Sequence, residues 1–171
     1  MPDAGWKKFE RRIAEYFPEG RRRGPDYRGA NAGKTDIISP GWSIECKLYK
    51  SPTFQVMLDA ALQAEINRPE PDDIPIAIVK KKGLQDKNAL AVFVWSTFME
   101  YFNPRVTGPG WGVSYLPVRQ PSYNKIIDTI DDAEAWSERA GGAIPVAKVE
   151  KYGTGKKLAI MRFGSFSKHF I

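Results

Sequence analysis

An α/β fold is predicted by three features of the 171-residue sequence. Residues 5–17 place Trp6, Phe9, Ile13, Tyr16 and Phe17 at the spacing of one helix face. Residues 35–48 hold two apolar runs around a Ser39-Pro40-Gly41 turn, and in the second run Ile44, Cys46 and Leu48 alternate with Glu45 and Lys47. That alternation is the mark of a hairpin strand with two unlike faces. Residues 74–79 and 90–95 are short, near-continuous apolar runs, the pattern of strands covered on both sides.

Composition narrows the function. With 42% hydrophobic and 12% aromatic residues the chain can build a real core, as one domain or two very small ones. Lys and Arg number 26 against 20 acids, giving net charge +6 and a pI near 9.4, so nucleic acid is the first partner to consider. The single cysteine, Cys46, excludes an intrachain disulfide and a Cys-rich zinc site, and the single histidine, His169, leaves no His cluster and no Ser-His triad. Chemistry must therefore rest on carboxylates and lysine. No apolar run approaches the ~20 residues that span a bilayer, and the N-terminus lacks a signal-peptide core. A cytosolic protein without membrane contact is expected.

Along the first helix, Glu10 falls between Phe17 and Ala14 on the apolar side, whereas Glu15 falls opposite. An inward acid needs a partner, so Glu10 is either salt-bridged or part of a metal site. Arg21, Arg22 and Arg23, with Arg28 and Lys34 in the Gly- and Pro-rich stretch that follows, read as phosphate contacts or as a solvated charge run. In the hairpin, Asp36 can join Glu45 and Lys47 on one face if the register pairs it with Glu45, since paired side chains lie ~5 Å apart. Hard carboxylate oxygens beside an ammonium suit Mg²⁺ and a phosphodiester. Ser51-Pro52-Thr53 opens a helix with an apolar stripe of Phe54, Met57, Leu58, Ala61 and Leu62, running to about Arg68. Gln55 and Gln63 lie off that stripe, facing solvent or else a catalytic groove. Lys80, Lys81 and Lys82 read as a DNA-backbone contact or a solvated turn, and Ser96-Thr97 as the cap of a short helix ending at Phe102.

Asp36, Glu45 and Lys47 resemble the D-X(n)-E-x-K signature of the PD-(D/E)XK nuclease superfamily. With a Glu10-bearing helix before the hairpin, residues 5–102 are most similar to archaeal and phage Holliday junction resolvases. The resemblance implies a restriction-endonuclease-like central mixed sheet flanked by helices. It implies Asp36, Glu45 and the Cys46 backbone carbonyl as ligands of Mg²⁺ (Mn²⁺ substituting), Lys47 acting on the attacking water, and Glu10 assisting. Pro25-Asp26 spells the superfamily's literal "PD" but sits in a Gly-flanked stretch, so Asp36 is preferred. The serine that such resolvases often carry in this stretch has no counterpart in Arg28-Gly29-Ala30-Asn31.

Residues 104–171 echo the first 103. Gly41-Trp42 recurs as Gly110-Trp111, Pro52 as Pro121, Ile74-Pro75 as Ile144-Pro145, and Phe98 and Phe102 as Phe166 and Phe170, all about 69 positions later. Asp36, Glu45 and Lys47 map to Arg105, Ser114 and Leu116, so the acids are lost. The expectation is a nuclease domain at 1–103 and a degenerate half-domain repeat at 104–171 that extends the sheet, mimics a dimer partner, or binds DNA through Arg119, Lys156, Lys157 and Lys168. The function expected is a Mg²⁺-dependent, structure-selective DNA endonuclease acting on four-way junctions, as a homodimer or with the repeat in place of one partner. Alternatives are a nuclease of ordinary duplex or single-stranded DNA, and a catalytically inactive DNA-binding module.

Overall fold

Residues 4–23, 35–102 and 110–171 are described by a computed structural model. In chain order they form α1 (Gly5–Ala14), β1 (Arg21–Arg22), β2 (Ile37–Ser39), β3 (Trp42–Tyr49), α2 (Phe54–Ile66), β4 (Ile74–Lys81), β5 (Leu90–Val94), α3 (Trp95–Phe102), β6 (Trp111–Val118), α4 (Tyr123–Arg139), β7 (Ile144–Lys151), β8 (Lys156–Arg162) and α5 (Phe163–Phe170). All eight strands share one mixed sheet, in the order β1-β2-β3-β4-β5-β8-β7-β6. Among the described residues no helix is long and apolar enough to cross a membrane.

The hairpin forms as expected. Ser39 pairs with Trp42, leaving Pro40 and Gly41 as a two-residue turn, and Gly41 adopts φ 85°, which a Cβ would oppose. On one side of the sheet α1 packs Phe9 and Ile13 with Ile44 and Cys46. The helix ends at Ala14, three residues earlier than its apolar pattern, because the chain turns back sharply: at Gly20 a Cβ would lie 2.1 Å from the Ala14 carbonyl oxygen. Trp6 and Tyr16, expected on the buried face, remain about half exposed.

On the other side α2 begins at Thr53, whose hydroxyl accepts the Val56 N–H at 3.2 Å. Ala60, Ala61 and Ala64 let this helix approach so closely that the Ser43 hydroxyl donates to the Ala64 carbonyl at 2.5 Å. Leu62 is turned outward as a result, and Gln55 and Gln63 are exposed as anticipated. The Ser96-Thr97 cap does not form. Helix α3 continues directly from β5 at Trp95, and the Thr97 hydroxyl donates to Glu65 instead.

Lys80 corrects both of its sequence readings. It lies inside β4, buried, with its ammonium 2.8 Å from Asp86 and 4.9 Å from the Phe9 ring centre. A buried ammonium needs such a counter-charge, and Asp86 also holds Arg12 at 2.6 Å. Lys80 is a structural cation.

Residues 110–171 add three strands to the same sheet, and their order β6-α4-β7-β8-α5 repeats that of β3-α2-β4-β5-α3. Register repeats too. Trp111 pairs with Ile144 as Trp42 pairs with Ile74, and Ala147 with Ile160 as Ala77 with Val92. The halves meet where β5 and β8 run antiparallel, Leu90 facing Arg162, Val92 facing Ile160 and Val94 facing Leu158. That junction has the symmetry of an isologous dimer contact, with Val92 and Ile160 at its centre. The terminal helices complete it reciprocally: Phe98 of α3 packs edge-on against Trp111 at 5.0 Å, and Phe166 of α5 against Trp42 at 5.7 Å. Both core layers draw side chains from both halves.

Candidate active site

The site is built at the open end of the β2-β3 hairpin. The ladder of β2 and β3 ends at Ile37 facing Ile44, and Asp36 follows at a bend just beyond it. The Asp36 N–H donates to the Ile44 carbonyl at 3.1 Å, one residue out of the ladder's register, so Asp36 and Ile37 both stand opposite Ile44 as at a β-bulge. The Asp36 Oδ2 then accepts the Cys46 N–H at 2.8 Å, which folds the carboxylate over the strand edge.

Glu45 is only 1% exposed. Its Oε1 accepts from Asn67 Nδ2 at 3.2 Å, and its Oε2 lies 3.9 Å from the Lys47 ammonium. Burial, and then the Asp36 charge, push the Glu45 carboxyl up to about 8, against the lowering pull of the Asn67 hydrogen bond and Lys47. The Asp36 and Glu45 carboxyls therefore stand close enough to act on each other.

Glu10 is buried as expected, but it comes from the α1 face, opposite the face that Glu45 shares with α2. Its Oε2 accepts from Arg22 Nε at 2.5 Å. Burial raises its pKa, Arg22 opposes the rise, and the Asp36 charge adds to it. The Cys46 thiol, on the α1 face, is raised well above its ordinary value by burial, then by Asp36, Glu10 and Glu45.

The expected phosphate contacts separate into groups. Arg22 is engaged by Glu10, and its guanidinium carbon stands 5.2 Å from the Trp6 ring centre, so it supports the site rather than forming part of a free basic run. Arg21 is exposed on β1. The Arg23 N–H donates to the Asp36 carbonyl at 2.9 Å, and its side-chain Nε has no hydrogen-bond partner among the described residues. Lys81 is half-buried with its ammonium 5.4 Å from the Tyr123 ring centre, and Lys82 is exposed. Arg28, Lys34 and the rejected Asp26 lie outside the described residues.

Among the described residues no group of three or more His, Cys, Asp or Glu side chains is gathered closely enough to hold a metal ion. The carboxylate pair nevertheless suits a hard divalent cation. Two acids forced together in a buried site, one of them driven up to about 8, lack a positive charge that a bound cation would supply. In a strand the N–H and C=O of one residue leave on the same side, so the Cys46 carbonyl points to the Asp36 edge and offers a third oxygen. Glu10, held by Arg22 on the other face, is placed to act on the site's surroundings.

Trp6, Lys7, Glu10, Arg22, Arg23, Thr35 and Asp36 line a cleft of about 450 Å³ beside the pair. A cavity of about 480 Å³ elsewhere is lined by Glu134 and Arg162, already paired at 2.7 Å, and holds no paired acids. Sequence reasoning missed Asn67 and Thr35. Asn67 follows the last turn of α2 and reads as a helix terminus, and nothing in its spacing points to Glu45.

In the second half, Ser114 pairs with Ala147 as Glu45 does with Ala77, and Leu116 with Val149 as Lys47 does with Val79. The alignment read from sequence therefore holds at both positions, while Arg105 lies outside the described residues. No family model, no curated protein and no solved structure matches the chain.

Proposed function

We propose that this protein is a Mg²⁺-dependent endodeoxyribonuclease of the PD-(D/E)XK type, with Mn²⁺ able to substitute, acting on branched DNA such as a four-way junction. The observation that carries the reading is the close approach of Asp36 to a buried Glu45 at the open end of the hairpin, with the Lys47 ammonium 3.9 Å from Glu45. Asp36, Glu45 and the Cys46 carbonyl would hold the cation, and when bound it supplies charge to neutralise the phosphate oxygens as attack proceeds. Lys47 orients the attacking water as an ammonium, or takes its proton when neutral and becomes one, and in either form its positive charge then lies where the pentacovalent phosphate develops negative charge. Asn67 fixes the Glu45 carboxylate through Oε1. Arg22 neutralises Glu10, so that this buried acid does not repel the phosphate. The basic surface, including exposed Lys82, Arg119, Lys156 and Lys168, supports backbone binding.

We read the sheet as a restriction-endonuclease-like core and the second half as its degenerate repeat, standing where a homodimer's partner would stand. One chain then carries one reactive site. The test is a labelled four-way junction with linear duplex competitor. Junction cleavage is expected with Mg²⁺ or Mn²⁺, whereas Ca²⁺ should permit binding with little cutting. Undiminished cleavage in excess EDTA would refute the metal role. Equal cutting of linear or single strands would make it a general nuclease, and junction binding without cutting an inactive DNA-binding module.

A further inference from the structure

We infer that the cleft beside Asp36 is a subsite for one unpaired nucleotide, its base against Trp6 and its phosphate on Arg23 and Thr35. The inference rests on the nuclease reading above and extends it to the strand next to the reacting phosphate. Three observations carry it. The Thr35 side chain is 0% exposed and its hydroxyl has no hydrogen-bond partner among the described residues, and the Arg23 Nε is in the same condition. Both line one cleft. Buried donors are rarely left unpaired, and phosphate oxygens are acceptors that would satisfy both.

Trp6 supplies the second element. It is 48% exposed, although the helix pattern places it on the buried face. It is held in place by cations, with Arg22 5.2 Å and Lys7 5.4 Å from its ring centre, and Arg22 is itself fixed by Glu10 at 2.5 Å. An indole ordered this way and open on part of its surface is a stacking platform, and stacking is tolerant of base identity. Three cations, Lys7, Arg22 and Arg23, outnumber the two acids Glu10 and Asp36 in the lining, so an anion is favoured. At about 450 Å³ the cleft sits towards the small end of the ~300–1,000 Å³ usual for ligand sites, room for one nucleotide. A base inside a duplex is stacked on both faces and cannot reach Trp6. The occupant is therefore an unpaired nucleotide, as found at a branch point or a frayed end.

The test uses the full-length protein in Ca²⁺, with fluorescein-labelled oligothymidylate and a blunt duplex as probes. Trp6→Ala should weaken oligothymidylate binding about ten- to a hundredfold, with Trp6→Phe keeping most of the affinity. Thr35→Val should weaken it about tenfold. Trp136→Ala, on the exposed side of α4, should leave it unchanged. Intrinsic fluorescence quenched by oligothymidylate in the wild type should be largely lost in Trp6→Phe, a readout that survives if Trp6→Ala folds poorly. Wild-type affinity in both Trp6→Ala and Thr35→Val, an equal loss in Trp136→Ala, or quenching retained in Trp6→Phe would each overturn the subsite. Trp6-dependent binding without Mg²⁺-dependent cleavage would refute the nuclease reading and leave the subsite standing. Cleavage with Trp6-independent affinity would do the reverse.

Discussion

The two halves of the sheet share element order, strand direction and register, yet only one buries charge on its leading strand. In β3 the Glu45 carboxyl is enclosed, supported by Asn67 and Lys47, and set against a second acid. In β6 the matching places hold Ser114 and Leu116. Burying a carboxyl beside another is unfavourable, and the second half demonstrates that the same β-α-β-β-α frame forms without it. The acids are therefore not required by the frame itself. Packing positions such as Trp42 and Trp111, or Phe98 and Phe166, recur in both halves because each half depends on the other for cover.

That mutual dependence gives the largest expected effect. Truncation after Phe102 removes Phe163 and Phe166 from Phe17 and Trp42, and strips three strands from the edge of β5. The fragment should aggregate or melt without cooperativity in calorimetry; a soluble, cooperatively melting and fully active 1–102 chain would overturn the paired-half account. Within the full chain, Phe98→Ala and Phe166→Ala should each cost about 3–5 kcal/mol in denaturant titration, by similar amounts.

The chemical asymmetry comes next. Glu45→Ala and Lys47→Ala should each slow junction cleavage by about 10²–10³-fold or more with little change in junction affinity, since their contribution falls in the transition state. Ser114→Ala and Leu116→Ala, at the matching positions, should cut at nearly the wild-type rate. Asp36→Ala should be inactive and Asp26→Ala nearly normal; the opposite pair of results would move the acid to Asp26.

A pH profile of stability sharpens the same contrast. Without metal, Glu45 titrates near 8 in the folded chain but at an ordinary 4.5 when unfolded. Between those values the native state holds a proton that the unfolded state has lost, so stability falls as pH rises, by at most ~1.4 kcal/mol per pH unit from this group. Glu45→Gln should flatten that window, and saturating Mg²⁺ should do so by favouring the ionised carboxylate. Unfolding midpoints at pH about 5 and about 9, with and without Mg²⁺, measure it. An equal slope in Glu45→Gln would assign the effect elsewhere.

The smallest effects separate two neighbouring lysines. Lys80→Met should lower stability by about 1–3 kcal/mol, because Asp86 keeps Arg12 but loses its buried partner, and should leave the salt dependence of DNA binding unchanged. Lys82→Ala should do the reverse, reducing the salt slope by about 1 without affecting the melt.

Much of this architecture was legible in the chain. Period-two alternation located β3 and the Pro40-Gly41 turn located the hairpin, because side-chain period and turn geometry are local properties, while the recurring Gly-Trp, Ile-Pro and Phe positions fall at matching places of β6, β7 and α5. The approach of Asp36 to Glu45 was legible as a possibility, but it comes about at a bend where Asp36 leaves the ladder, not through direct pairing. Lys80 was misjudged because a Lys-Lys-Lys run looks like surface; Asp86, six residues on, made its burial possible. Helix α3 started without its Ser-Thr cap because β5 runs straight into it.

The sequence by itself located the first helix, the hairpin and its turn, the helix after it and the two apolar strands at 74–79 and 90–95, and it left carboxylates and lysine as the groups available for chemistry. Only the tertiary structure decided that Arg22 neutralises Glu10, that Asn67 at the end of α2 holds Glu45, that Thr35 and Arg23 face one cleft, and that α3 and α5 each close the core of the opposite half. The physical reason is distance along the chain. Periodicity and turn chemistry act over a few residues, whereas a buried charge takes its partner from whichever element the packing brings near, and nothing in local spacing specifies which one that is.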